Sequence, residues 1–127
     1  MKKLGLALVL SLASTPAFAE ADYSDAAQTI RHDCSSDPEV AISGSSNQIT
    51  LTGTCTLVEI NGASNTVVIE ASKKVSVTGA KNEVTVTASD RIAVTGTNNN
   101  VVWKKGIKGK RPKISSTGVQ NRIKQGK

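Results

Sequence analysis

The chain has 127 residues, enough for one small domain, and only 2% of them are aromatic. Because base-stacking surfaces need several aromatic side chains, we expect no specific recognition of nucleic acid. The formal net charge of +6 is unevenly divided: residues 20–103 hold five basic and ten acidic residues (−5), whereas residues 104–127 hold nine basic residues and no acidic one (+9). This division predicts an anionic partner at one end, or contact between the ends of two copies.

The first residues are typical of an export signal. Lys2 and Lys3 precede an apolar run at residues 4–14, and Ala17–Ala19 forms a small-x-small cleavage site. A buried N-terminal helix is the alternative interpretation. We expect residues 1–19 to be removed and the mature chain to be periplasmic or extracellular. The apolar run is too short for a spanning helix, so no transmembrane segment is expected in the mature chain.

Residues 20–39 are expected to form an N-terminal cap. Cys34 lies in this segment and Cys55 follows it by 21 positions. In an oxidising compartment these two cysteines predict a disulfide bond, whose loop closure would contribute about 3 kcal/mol to stability. A metal site or a reactive thiol is the competing interpretation, and the absence of clustered histidines disfavours a zinc site.

Five copies of the pattern G-x-x-N-x-[VI] follow, and we expect them to fill residues 40–127. Successive glycines are 18, 17, 17 and 22 residues apart. A near-constant period predicts a repeat architecture in which each unit packs only on its neighbours. The expected turn and ladder residues are Gly44, Asn47, Gly62, Asn65, Gly79, Asn82, Gly96, Asn99, Gly118 and Asn121.

Apolar and polar residues alternate on both sides of each G-x-x-N turn, as in Val75–Val77 and Val84–Val86. Alternation with period two predicts half-buried strands. Both an antiparallel meander and a β-solenoid contain such strands. We favour an all-β solenoid of about five coils of 17–18 residues, because only stacking of equivalent turns explains why the turn residues repeat.

A basic insertion at residues 104–113 interrupts the period before the last copy. Its cations predict salt-sensitive contact with an anionic envelope polymer or lipid, and a solvated loop that protects the sheet edge is the alternative. Trp103 is expected to point into the core, by register. The expected polyanion-binding residues are Lys104, Lys105, Lys108, Lys110, Arg111 and Lys113.

The residues that could carry chemistry do not form a catalytic set. His32 is the single histidine and lies beside a predicted disulfide, and Asp90 has no carboxylate partner at a spacing typical of glycosidases. No aspartate recurs with the repeat period, which argues against a calcium ladder. We therefore expect a non-enzymatic protein with no cofactor and no bound metal.

The stretch Val77–Val86 (VTGAKNEVTV) and its repeated relatives resemble a family of small exported bacterial proteins that is defined only as a domain of unknown function. A cysteine pair that frames the first coil, like Cys34 and Cys55, strengthens the resemblance. The resemblance implies a β-solenoid and export, and it implies no activity. The repeats are also similar to those of curli subunits, which form amyloid fibres.

The sequence thus predicts an exported structural or binding protein that contacts anionic envelope components. A self-assembling, fibre-forming surface protein is the alternative function.

Overall fold

The computed structural model describes residues 21–107 and 111–126. The predicted signal peptide lies outside this range, as do Lys108 and Lys110 of the insertion. The described residues form no helix, so none of them belongs to a helix long and apolar enough to cross a membrane. They form β1 (Ala21–Tyr23), β2 (Thr29–Asp33), β3 (Glu39–Ile42), β4 (Gln48–Ala63), β5 (Thr66–Ala80), β6 (Glu83–Thr97), β7 (Asn100–Lys105), β8 (Lys113–Val119) and β9 (Arg122–Gln125).

All pairs between these strands are parallel, and equivalent residues of successive copies are partners. Gly79 pairs with Gly62 on one side and with Gly96 on the other. The long strands β4, β5 and β6 each complete one coil and begin the next. The structure is therefore a β-solenoid of about five coils, as predicted, and the parallel pairing excludes the antiparallel meander.

The core is a column of aliphatic side chains between the two faces of the coil. Outside the corners, β3 to β7 bury every second residue because the side chains of a strand alternate between its two faces. Trp103 is 1% exposed and is the last buried side chain of one inward column, whereas Ile114 in the last described coil is 39% exposed because no described coil covers it. The buried aliphatic residues are Val40, Ile42, Ile49, Leu51, Val58, Ile60, Val67, Ile69, Val75, Val77, Val84, Val86, Ile92, Val94 and Val101.

Residues 21–33 form a further rung below the first G-x-x-N copy. β1 pairs with β3 and β2 pairs with β4. The turn between β1 and β2 is a degenerate copy, in which Asp25 replaces the glycine and Gln28 replaces the asparagine. Ala27 has a φ of 57°, close to the 61° of Ser46 in the next turn. Both motif residues differ from the pattern, and this explains why the motif did not reveal the rung.

Two inward positions of this first rung hold the polar aromatic side chains of Tyr23 and His32, and the other two hold Ala21 and Ile30. The hydroxyl of Tyr23 lies 2.8 Å from Nδ1 of His32, and Nε2 of His32 donates to the carbonyl oxygen of Asp37 at 2.9 Å. Since a carbonyl only accepts, Nε2 carries a proton, and when the ring has no second proton the tyrosine hydroxyl donates to Nδ1. The pair closes the N-terminal end of the aliphatic core.

A disulfide bond joins Cys34 and Cys55, as predicted, with their Cα atoms 5.0 Å apart. It fastens the first rung to the coil above. By register, Cys55 occupies the same column as Ser72 and Ser89 of the following coils. The buried hydroxyls of these serines donate to the carbonyl oxygens of Lys74 and Arg91, at 2.7 and 3.1 Å. The disulfide thus lies at the corner position where the following two coils have a hydrogen-bonded serine.

Replacement of Cys34 by alanine together with Cys55 by serine should lower the free energy of unfolding by about 3 kcal/mol, because the unfolded chain loses a 21-residue cross-link. Denaturant unfolding at neutral pH measures the change. A reductant should shift the wild-type midpoint to that of the variant and leave the variant unchanged. Equal midpoints for the two oxidised proteins would contradict a stabilising cross-link.

Candidate functional site

A ladder of buried asparagines runs along one corner of the solenoid. The backbone N–H of Asn65 donates to Oδ1 of Asn82 at 3.0 Å, and Nδ2 of Asn65 donates to the same oxygen at 3.2 Å. Nδ2 of Asn82 donates to the carbonyl oxygen of Gly62 at 3.0 Å and to Oδ1 of Asn99 at 3.1 Å. Each interior asparagine therefore uses both amide protons and its carbonyl oxygen between coils. The column comprises Asn47, Asn65, Asn82, Asn99 and Asn121.

The glycines of the motif form a second column beside the ladder. Gly79 has a φ of 129°, which L-residues with a side chain rarely adopt, and a Cβ on it would overlap with the carbonyl oxygen of Gly62. The same overlap recurs at Gly62, Gly96 and Gly118 with the glycine of the preceding coil. Glycine is therefore required by the close approach of successive turns as well as by their conformation. Both columns serve the scaffold and present no reactive group.

Exposed basic side chains are clustered at a different corner of the solenoid. The register pairs Lys74 with Arg91 and Arg91 with Lys113, so three exposed cations stand in one column. Neighbouring residues of such a column are about 4.8 Å apart. Lys73 is adjacent to this column and exposed. The column runs parallel to the solenoid axis and crosses three successive coils.

The insertion adjoins this column at the same corner, between the end of β7 and the start of β8. Lys104 and Lys105 end β7 and are exposed. The guanidinium carbon of Arg111 lies 5.4 Å from the centre of the Trp103 ring, a cation–π contact that holds the described end of the insertion against the coil. We define the basic corner as Lys73, Lys74, Arg91, Lys104, Lys105, Arg111 and Lys113.

Three of these cations, Lys73, Lys74 and Arg91, were missed from the sequence because they are far from the insertion along the chain. Aligning the copies at the 17-residue step would have placed Lys74 and Arg91 in one column. Lys108 and Lys110, which were predicted to take part, lie outside the described residues.

The opposite end of this corner is acidic. Asp33, Asp37 and Glu39 lie in the first turn of the corner, near the disulfide. The backbone N–H of Ser35 donates to the carboxylate of Asp33 at 2.9 Å, and this bond, followed by one from the Ser35 side chain, lowers the pKa of Asp33 below its usual value. Asp33 is therefore charged at neutral pH. The corner thus changes from negative to positive along the axis, with Asp90 as an acidic residue within its basic part.

A shallow depression of about 260 Å³ lies at the other side of the molecule, near the last turns of the ladder. Its lining is polar, and Arg122 is the charged residue in it; the other lining residues are Asn98, Asn99, Asn100 and Gln120. Across residues 21–107 and 111–126, no three His, Cys, Asp or Glu side chains lie close enough to hold a metal ion. This depression therefore offers hydrogen bonds and one cation, but no acid–base pair.

Comparison with protein families gives one match. The model of the family described as "Protein of unknown function (DUF3060)" matches residues 42–90 and residues 72–120, which together cover more than half of the chain. No curated protein and no solved structure matches it. The weaker likeness to curli repeats stays an expectation from the motif alone. The matched region holds most of the G-x-x-N coils, and the chain belongs to the DUF3060 family.

Proposed function

We propose that this protein is an exported, non-enzymatic binding protein that holds an anionic polymer of the cell envelope at its basic corner. The observation that carries the proposal is the column of Lys74, Arg91 and Lys113, which continues into the cations of the insertion. Export is supported by the basic and apolar pattern of residues 1–19, and the disulfide bond is consistent with it.

The geometry favours an extended ligand over a small one. The cations of the column are exposed and do not converge on a cavity, so a single small anion would meet only one or two of them. A polymer that lies along the solenoid axis would contact several cations at once. Like charges about 4.8 Å apart also repel one another, and a bound polyanion would relieve that repulsion.

Binding of this kind depends strongly on salt, because each cation that contacts the polymer releases a counterion. Replacing Lys74, Arg91 and Lys113 by glutamine should reduce the slope of log affinity against log salt by about three, and it should cause elution from a polyanion column at lower salt. Affinity measured at several salt concentrations on an acidic polysaccharide checks both expectations.

The matched control replaces three exposed cations elsewhere, Lys81, Arg122 and Lys124, by glutamine. Both variants lose three charges, so only the position of the charges differs between them. The proposal requires the corner variant to lose retention and the control to keep most of it. Equal losses would show that net charge alone retains the protein. Retention by anionic lipid vesicles but not by the polysaccharide would also contradict a polymer ligand.

A further inference from the structure

The last described coil, residues 113–126, has an outer edge without a partner among the described residues. β8 pairs only with β6, and β9 pairs only with β7. Every residue of β8 is exposed, and Val119 is 60% exposed. This edge therefore presents backbone donors and acceptors together with apolar side chains, the surface that β-strand addition uses.

The asparagine ladder is also incomplete at this end. In the preceding coils the backbone N–H of each ladder asparagine donates to Oδ1 of the next one, at 3.0 Å for Asn99 and Asn121. Among the described residues no group accepts from the backbone N–H of Asn121. An incoming turn with a side-chain carbonyl at this position would continue the ladder.

The glycine column sets a second requirement for the incoming turn. Each glycine of the column is packed so closely on the preceding one that a Cβ would overlap with its carbonyl oxygen. A turn seated on the last coil must therefore place glycine over Gly118. Together with the ladder, this requirement specifies glycine followed three residues later by asparagine.

The first rung of a second copy does not meet these requirements. It would place Gln28, whose side-chain amide donates to Ala26 of its own turn, over Asn121, and Arg31 over Lys124, where like charges would meet. The last coil, residues 113–126, has no acidic residue and carries the cations Lys113, Arg122 and Lys124. The binding partner that complements this edge is therefore acidic. It is not the N-terminal end of the same protein.

We propose that the C-terminal coil is a docking edge for an acidic G-x-x-N coil of a different repeat protein, which adds to the solenoid as its next rung. The incoming strands pair in parallel with β8 and β9, its glycine covers Gly118, and its asparagine accepts from the N–H of Asn121. Acidic side chains of the incoming coil face the three cations of the edge. This interaction is distinct from polymer binding at the basic corner, although Lys113 belongs to both surfaces.

A tethered coil tests the proposal at high effective concentration. The probe is a Ser-Asp link appended after Lys127, followed by residues 74–87 with Lys74→Glu and Thr85→Glu. The link reproduces the spacing with which Ser89 and Asp90 lead into Arg91. In this register the two new acids face Lys113 and Lys124, and Glu83 faces Arg122. The control carries Gly79→Ala in the appended segment, which has the same charge but cannot seat on Gly118.

The appended coil should raise Tm by about 5 °C or more and slow amide exchange at residues 113–125 at least tenfold. The Gly79→Ala control should do neither. The free peptide should slow the same amides in trans, and its Gly79→Ala form should bind at least tenfold more weakly. The proposal is overturned if the appended coil gives no protection, if both forms act equally, or if only the tethered coil protects. Head-to-tail polymers of the unmodified protein would also overturn it.

Discussion

Replacement of Asn82 by alanine should lower the free energy of unfolding by about 4 kcal/mol. The side chain is fully buried and links three coils. Its removal takes the acceptor from the backbone N–H of Asn65 and the Nδ2 donor from the carbonyl oxygen of Gly62, whereas Oδ1 of Asn99 loses that Nδ2 donor and keeps the backbone N–H of residue 82. A buried polar group without a partner costs about 1–3 kcal/mol. Denaturant unfolding of the purified variant measures the loss.

Asn61→Ala is the matched control, because Asn61 is exposed and lies outside the ladder. It should change stability by less than about 0.5 kcal/mol. A loss at Asn82 as small as that at Asn61 would mean that the ladder contributes little and that aliphatic burial alone holds the coils together.

The Asn82→Asp variant adds a dependence on pH. Its carboxylate would face the carbonyl oxygen of Gly62 and Oδ1 of Asn99, two groups that now accept from Nδ2. Burial and these two oxygens disfavour the charged form, so the pKa of the new carboxyl should be higher in the folded than in the unfolded chain, where it is about 3.9. The variant should therefore be most stable below about pH 4 and lose stability as the pH rises towards its folded pKa.

Gly79→Ala should be at least as damaging, with a loss of about 3–5 kcal/mol or failure to fold. The new Cβ would overlap with the backbone of Gly62, and the φ of 129° is unfavourable for alanine. The overlapped atoms belong to the Gly62 backbone, which cannot rotate away, so relief requires the two coils to separate and their ladder hydrogen bonds to stretch. Thermal unfolding and the yield of folded protein measure the effect.

Gly126→Ala serves as its control. A Cβ there would meet the end of the Val102 side chain, which can rotate away, and Gly126 has no positive φ. This variant should remain within about 0.5 kcal/mol of the wild type. Similar losses at both glycines would show that chain entropy, and not the contact between turns, accounts for the effect at Gly79.

The sequence was sufficient to predict the solenoid because it contains two independent periods that indicate the same fold. The two-residue alternation gives strands, and the 17-residue recurrence of glycine and asparagine gives the stack. The same reasoning predicted the inward position of Trp103. The disulfide was predicted on a different basis, from two cysteines in a chain with an export signal.

Two features could not be predicted in the same way. The first rung keeps the left-handed backbone at Ala27 but has Asp25 and Gln28 where the motif residues would be, and a pattern based on side chains does not detect a shared backbone. The basic corner combines cations from three coils. Their proximity depends on the pairing register, so charge counted along the chain revealed only the part within the insertion.

Strand partners are separated by a constant number of residues along the chain, and this limits which insertions and deletions the solenoid can accommodate. Lys74 pairs with Arg91 and Gly79 with Gly96, so each residue in these coils finds its partner 17 positions away. Deletion or duplication of a whole 17-residue unit would preserve every such pair and change the length of the molecule by about 4.8 Å. Loss of one residue would instead shift the register of a strand by one position, so that its core side chains would face solvent. Growth by whole-unit duplication is therefore the evolutionary route that this architecture leaves open.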